Sequence, residues 1–395
     1  MPYAAPGAAP THPLPWQVLT AGICALILSV GLSRFAYTPL LPLMRTEAGL
    51  SALAGGWLAT FNYIGYIAGA LLAVRTKDLQ RKFIYYRVGL VLAVLSTAAM
   101  GLTQNVAIWA LLRFIGGLSS TAGMLLASGL VLNWRIRQQL RPELGLHFAG
   151  VGLGIVVSGL AAAAMAQTLA WNQQWICLGA LGAVFFVPAW RWLPAPAPAV
   201  AANTEASAGG PTRRWLQLLM ASYFCAGFGY VVSATFIVAI LGKLPLLAGR
   251  GAWVWVLVGL AATPSSFFWD RITRVLGQIP ALALAYGLQI GSIVLPAMSD
   301  DVTLNLLSAL LFGGTFAGIV SLTLSLIGRH FPQNPAKAMA RLTLSYGVAQ
   351  IAAPAMAGMI AAGTGSYHNA LWVAAAAMLC GLILLWALHA REQSV

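Results

Sequence analysis

The chain has 395 residues, of which 60% are hydrophobic and 8% charged, and its mean hydropathy is +0.82. An average soluble domain carries about 25% charged residues, so a water-soluble globule is excluded. The net charge of +14 would suit nucleic acid, but the basic residues lie between long apolar runs, which places them at a membrane surface.

At about 20 residues per crossing, the length suits twelve transmembrane helices. The first fifteen residues hold no Lys or Arg. They read as a disordered lead, not a signal peptide. The first apolar run, 16–42, contains Arg34, and an ionised side chain at a helix centre costs about 2.5–3.5 kcal/mol on insertion scales. Tyr37 and Thr38 follow Arg34 at i+3 and i+4, which is one face of a regular helix. The second run, 51–73, carries Asn62 and Tyr66 one turn apart. The third spans 83–103. The fourth, 106–132, carries Arg113. Arg34 lies eight residues before Pro42, and Arg113 lies eight residues after Asn105. At 1.5 Å per residue, both arginines sit about 12 Å below the same surface. The fifth run, 144–168, opens with His147, read as an interfacial histidine. The sixth, 175–193, completes a bundle over 16–193.

The segment 194–214, PAPAPAVAANTEASAGGPTRR, is the only long polar stretch, and its composition suits a flexible linker. A second bundle, 215–390, follows with runs at 215–241, 251–269, 278–298, 302–328, 342–363 and 370–389. Tyr223, Gly227 and Tyr230 share one face of the seventh run. Tyr346 and Gln350 share one face of the eleventh. A short tail, 391–395, ends the chain. The runs are continuously apolar, whereas barrel strands alternate, so the fold class is all-α integral membrane.

With the N-terminus in the cytoplasm, seventeen of the 22 basic residues fall in or beside cytoplasmic loops. Only Arg45, Lys243 and Arg250 fall outside. This positive-inside bias predicts two cytoplasmic termini and a cytoplasmic linker. The charge then faces lipid headgroups, and nucleic acid drops out as a partner.

The two halves match at a nearly constant offset. Gly31 maps to Gly227, Arg75 to Arg271, Gly116-Gly117 to Gly313-Gly314, and Gly159 to Pro354. Two parallel six-helix repeats place a substrate at their interface.

Several strings carry a resemblance. The fourth run reads LLRFIGGLSSTAG, the fifth GVGLGIVVSG and the eleventh QIAAPAMAG. The residues Pro264 to Arg271 read PSSFFWDR, and the first run contains GLSRFAYTPLLPLM. Together they resemble the major facilitator superfamily over about 15–390, and in particular its YbfB/YjiJ-type branch. The resemblance implies twelve helices in two pseudo-symmetric bundles and transport by alternating access. It also implies a central site lined by helices 1, 4, 7 and 10 with parts of 2, 5, 8 and 11. Asp270 and Arg271 match the Asp-Arg loop of the superfamily and are expected to act in gating. The equivalent first-half loop departs from the pattern, because Asp78 arrives late.

All eight acidic residues fall in loops or at helix ends. The arginines therefore have no acidic partner at their own depth, so an anionic substrate is the expected counter-ion. Arg suits a carboxylate because its planar fork binds two oxygens. The expected site comprises Arg34, Tyr37, Thr38, Asn62, Tyr66, Arg113, Tyr223, Tyr230, Tyr346 and Gln350. No metal-ligand spacing occurs among the four cysteines and five histidines, and no cofactor or metal is expected. The expected protein is a secondary transporter of the bacterial inner membrane, working as a monomer. It moves a small organic anion or zwitterion, coupled to protons carried on the substrate's own carboxylate or on a helix-end group. The competing reading is a proton-driven exporter of bulky amphipathic compounds. A membrane transferase would need a catalytic base or a metal cluster, and neither is seen.

Overall fold

The computed structural model describes residues 13–141, 144–196, 213–331 and 335–392. Helices dominate, and no strand occurs among the described residues. Among the described residues, eleven helices are long and apolar enough to cross a membrane. They are α1 (Pro15–Glu47), α2 (Ala52–Arg75), α3 (Leu79–Leu102), α4 (Val106–Arg137), α5 (Gly145–Met165), α6 (Trp171–Trp192), α7 (Arg213–Leu241), α9 (Gln278–Met298), α10 (Val302–His330), α11 (Arg341–Thr364) and α12 (His368–Arg391). The twelfth, α8, is in two pieces, Gly251–Ala262 and Ser265–Leu276, which meet at 43°. The break falls at Thr263-Pro264, where proline removes a backbone donor from the helix ladder. Most of the expected linker, 197–212, lies outside the described residues, as does most of the N-terminal lead. Arg213 and Arg214, placed in the linker by sequence, begin α7.

The close helix contacts repeat between the halves. Gly31 of α1 lies against Gly154 of α5, and Gly227 of α7 lies against the Tyr346 carbonyl of α11. Gly117 of α4 abuts the Asn62 carbonyl of α2, and Gly313 of α10 abuts the Val258 carbonyl of α8. Gly313 therefore takes the place of Gly117, not of Gly116. The glycine pairing read from sequence shifts by one residue and joins Gly31/Gly227 in a common offset of 196. A Cβ at any of these four positions would meet neighbouring backbone, so helix packing explains the glycines.

Two seams join the halves. Along one, Gly152 and Gly159 of α5 pack on Thr263 and Val256. Along the other, Gly56 of α2 packs on the Pro354 carbonyl and on Gly358 of α11. The basic loops lie at one end of the bundle, here the basic end, since they follow even-numbered helices. Towards the opposite end the halves are also tied across α1 and α7, where Thr38 Oγ1 donates to the Ala234 carbonyl at 2.6 Å. Thr60 Oγ1 donates to the Ile351 carbonyl at 2.8 Å. No ion pair between the halves is found among the described residues. Arg81 and Asp78, on the surface, form a pair within one half at 3.8 Å.

Candidate functional site

A cavity of about 200 Å³ lies between the halves, walled by α1, α2, α4, α5, α7, α8, α10 and α11. Its wall runs from Arg34 and Tyr230 to Phe148, Ser266 and Thr343. The last three lie near the basic-end starts of α5 and α11 and at the bend of α8. The cavity therefore extends towards the basic end, while the opposite end is tied shut.

The wall begins with α1. Residues Ile27–Phe35 adopt the π register, in which each carbonyl looks to the N–H five residues on. Arg34 would look to residue 39, which is proline and has no N–H. Arg113 supplies the missing donor. Its Nη2 donates to the Arg34 carbonyl at 3.2 Å, and its Nη1 donates to the Ser33 carbonyl at 3.1 Å. The Arg113 guanidinium also lies 4.4 Å from the Tyr37 ring centroid.

Arg34 is turned the other way. It is the one charged residue among the described residues of the cavity wall. Its guanidinium carbon lies 4.5 Å from the Tyr63 ring centroid and 4.6 Å from that of Tyr66. Cation–π contact of this kind holds a guanidinium without neutralising it. The Arg34 Nε is buried and has no hydrogen-bond partner. No Asp or Glu is among the described residues of the wall.

The other half contributes rings. Tyr223 stacks on Tyr346 at 4.4 Å between centroids, and Tyr230 follows at 6.0 Å from Tyr346. Phe316 continues the series at 5.4 Å from Tyr230. Gln350 lies one turn beyond Tyr346 on the same wall.

The expected site residues thus divide. Arg34, Tyr66, Tyr223, Tyr230, Tyr346 and Gln350 share the cavity wall. Tyr37, Thr38, Asn62 and Arg113 do not. Tyr37 donates to the Gly55 carbonyl at 2.8 Å, and Thr38 closes the opposite end. Asn62 Nδ2 donates to the Arg113 carbonyl at 2.9 Å. Asp270 and Arg271 are exposed on the second piece of α8 and form no ion pair among the described residues. His147 differs from its interfacial reading. It is fully buried, with Nε2 at 2.8 Å from the Ser128 hydroxyl, and Gly22 of α1 leaves it room. The wall residues Phe35, Phe148 and Phe316 and the arginine partner Tyr63 were not anticipated. Tyr63 was findable, since it lies one turn before Tyr66. The phenylalanines carry no polar mark that separates them from lipid-facing residues. Among the described residues, no group of three or more His, Cys, Asp or Glu could hold a metal ion.

The family model described as "Uncharacterised MFS-type transporter YbfB" matches residues 26–385. The chain belongs to this family of the major facilitator superfamily: it is a multi-pass membrane transporter, not an enzyme. A search of curated proteins finds no matching relative. Solved structures share the fold. A variant of the nucleoside transporter NupG has a TM-score of 0.76 at 12% identity, covering 95% of this chain and 99% of that one. The human organic anion transporter MFSD10 (TETRAN) has a TM-score of 0.66 at 16% identity, covering 94% of this chain and 100% of that one.

Proposed function

We propose that this transporter carries a small organic anion or zwitterion whose carboxylate pairs with Arg34. One observation carries the reading: among the described residues of the cavity wall Arg34 is the one charged group, and none of them is Asp or Glu. A buried charge is costly unless it is paired with an opposite charge, and an anionic substrate supplies that charge beside the ring partners Tyr63 and Tyr66. MFSD10, similar in fold, is described as an organic anion transporter. The cavity of about 200 Å³ falls below the ~300–1,000 Å³ of drug-sized pockets, which favours a small substrate over a bulky amphipath.

The basic end is taken as cytoplasmic by the positive-inside rule, with both termini there, in the bacterial inner membrane. The conformation described is then inward-facing. Asp270 and Arg271 form the cytoplasmic latch of the second half, which stands open in this state. Protons that couple to transport bind at a helix-end group, because no carboxylate lies among the described wall residues and the substrate carboxylate is ionised when paired with Arg34. The working unit is a monomer, as the site is built within one chain.

The test is substrate binding to purified protein, read as stabilisation against heat, because a ligand that binds the native state raises its apparent stability. A hydrogen bond to a charged group is worth about 1.5–3 kcal/mol. Arg34→Ala should weaken carboxylate binding about tenfold to a hundredfold, with Arg34→Lys between that and the parent. A folded Arg34→Ala protein with undiminished carboxylate affinity would overturn the proposal.

A further inference from the structure

We infer that the substrate of this site is an aromatic carboxylate: a single flat ring system with the acid attached to it or one atom away. This rests on the carboxylate reading of Arg34 and adds a second, separable requirement.

The wall composition motivates it. Seven of the 19 wall residues are aromatic, against 10% of the chain. Close packing between helices needs no such enrichment, and small residues serve it better, as the glycine contacts of α2, α4 and α5 illustrate. The rings are also ordered relative to one another. Tyr223, Tyr346, Tyr230 and Phe316 follow in series with successive planes 28°, 29° and 31° apart. Aliphatic substrates gain only contact area from such a wall. A flat ring gains the additional quadrupole interaction of offset or edge-to-face packing.

The gap between Tyr346 and Tyr230, 6.0 Å between centroids, is too narrow to admit another ring between them. A substrate ring therefore packs against the series from the cavity. Arg34 stands on the other half. Its guanidinium lies over the rings of Tyr63 and Tyr66, so an anion meets its N–H edge. A carboxylate joined to a ring prefers to lie in the ring's plane. Pairing with the guanidinium edge then projects that ring into the space beside Tyr66 and towards the opposite aromatic wall. The phenols of Tyr223 and Tyr346 and the amide of Gln350 are on the wall, where they can donate to or accept from a ring substituent. The cavity volume of about 200 Å³ sets the size at one small ring system.

Three probes separate the two requirements. Benzoate has ring and charge, cyclohexanecarboxylate has charge and similar size without the π face, and benzamide has the ring without charge. The purified full-length protein should bind benzoate about two- to tenfold more tightly than cyclohexanecarboxylate. Benzamide should bind at least tenfold more weakly than benzoate. Nonspecific partition into detergent would reverse the first order, since the saturated ring is the more hydrophobic. Tyr346→Leu should erase the preference for benzoate over cyclohexanecarboxylate, and Tyr346→Phe should keep it. Equal binding of the two acids would overturn the aromatic inference and leave the carboxylate reading standing. Benzamide binding as tightly as benzoate would overturn the carboxylate reading itself. Failure of all three to bind would overturn the inference, and the Arg34 variants would then decide the underlying reading with nonaromatic acids.

Discussion

Two arginines at one depth have opposite surroundings. Arg113 donates through Nη1 and Nη2 to the carbonyls of Ser33 and Arg34 and rests on Tyr37, whereas Arg34 faces the cavity. Arg113 is thus a positioning residue, acting through the backbone that presents Arg34. Replacing it by methionine keeps much of the volume and leaves the Arg34 carbonyl, which faces Pro39, without a donor. An unmet buried group costs about 1–3 kcal/mol, so Arg113→Met should lower the thermal midpoint in detergent clearly. An unchanged midpoint would show that the π segment stands without Arg113. Sequence alone could not separate these roles. The i+3 and i+4 rule put Tyr37 and Thr38 on the Arg34 face, but it assumes 3.6 residues per turn. The π register and Pro39 break that period between Arg34 and Tyr37. Where the helix stays regular, as from Tyr223 to Tyr230 and from Tyr346 to Gln350, the same rule collects residues that do share the wall.

At the scale of helices, the contacts across the seams are made by glycines and hydroxyls. The α2–α11 contact at Gly56 is so close that a Cβ there would meet the Pro354 carbonyl. Forcing extra atoms into a packed contact costs about 1–3 kcal/mol. Gly56→Val should therefore disfavour the state closed at the end opposite the basic loops. In a chain with its four cysteines replaced, Ser321→Cys lies on the cavity wall and can report this by maleimide labelling from the basic side. Labelling should fall on adding Gly56→Val. Gly287, with open space around it, supplies the control, and Gly287→Ala should leave labelling unchanged. If Gly56→Val labels like the parent, the seam does not govern closure. The helices themselves were legible from hydropathy, because lipid demands long apolar runs. The break in α8 was less so: the apolar run 251–269 crosses it, and only Pro264 marks it.

On the whole-molecule scale, the constant offset between the halves reports real equivalence. Asn62 and Val258 present their carbonyls to Gly117 and Gly313, and Arg34 and Tyr230, also 196 residues apart, both reach the cavity. The repeat is therefore symmetric in packing and asymmetric in chemistry. One half supplies the charge and the other the stacked rings. The packing symmetry was visible in small residues, since backbone contact tolerates few substitutes. The chemical asymmetry was visible only in part. Nothing in the spacing shows that Tyr223, Tyr230 and Tyr346 stack, since they come from two helices separated by more than a hundred residues.

The lone wall charge has an electrical consequence. When the cavity opens towards one side, water brings the potential of that side to Arg34, and when it opens to the other the potential changes with it. The empty carrier thus moves one positive charge through most of the membrane field as it turns over. That transfer involves about 2.3 kcal/mol per 100 mV. With a carboxylate on Arg34, the pair is neutral and reorients without electrical work. Voltage steps across a bilayer containing the substrate-free protein should therefore give brief displacement currents. A saturating carboxylate substrate should abolish them, and Arg34→Gln should lack them from the start. Currents of equal size in Arg34→Gln would locate the moving charge elsewhere. In a cell with a negative interior, the voltage then acts on the empty form alone. It draws the unloaded site towards the side of negative potential, so a negative interior favours the empty form open to the cytoplasm.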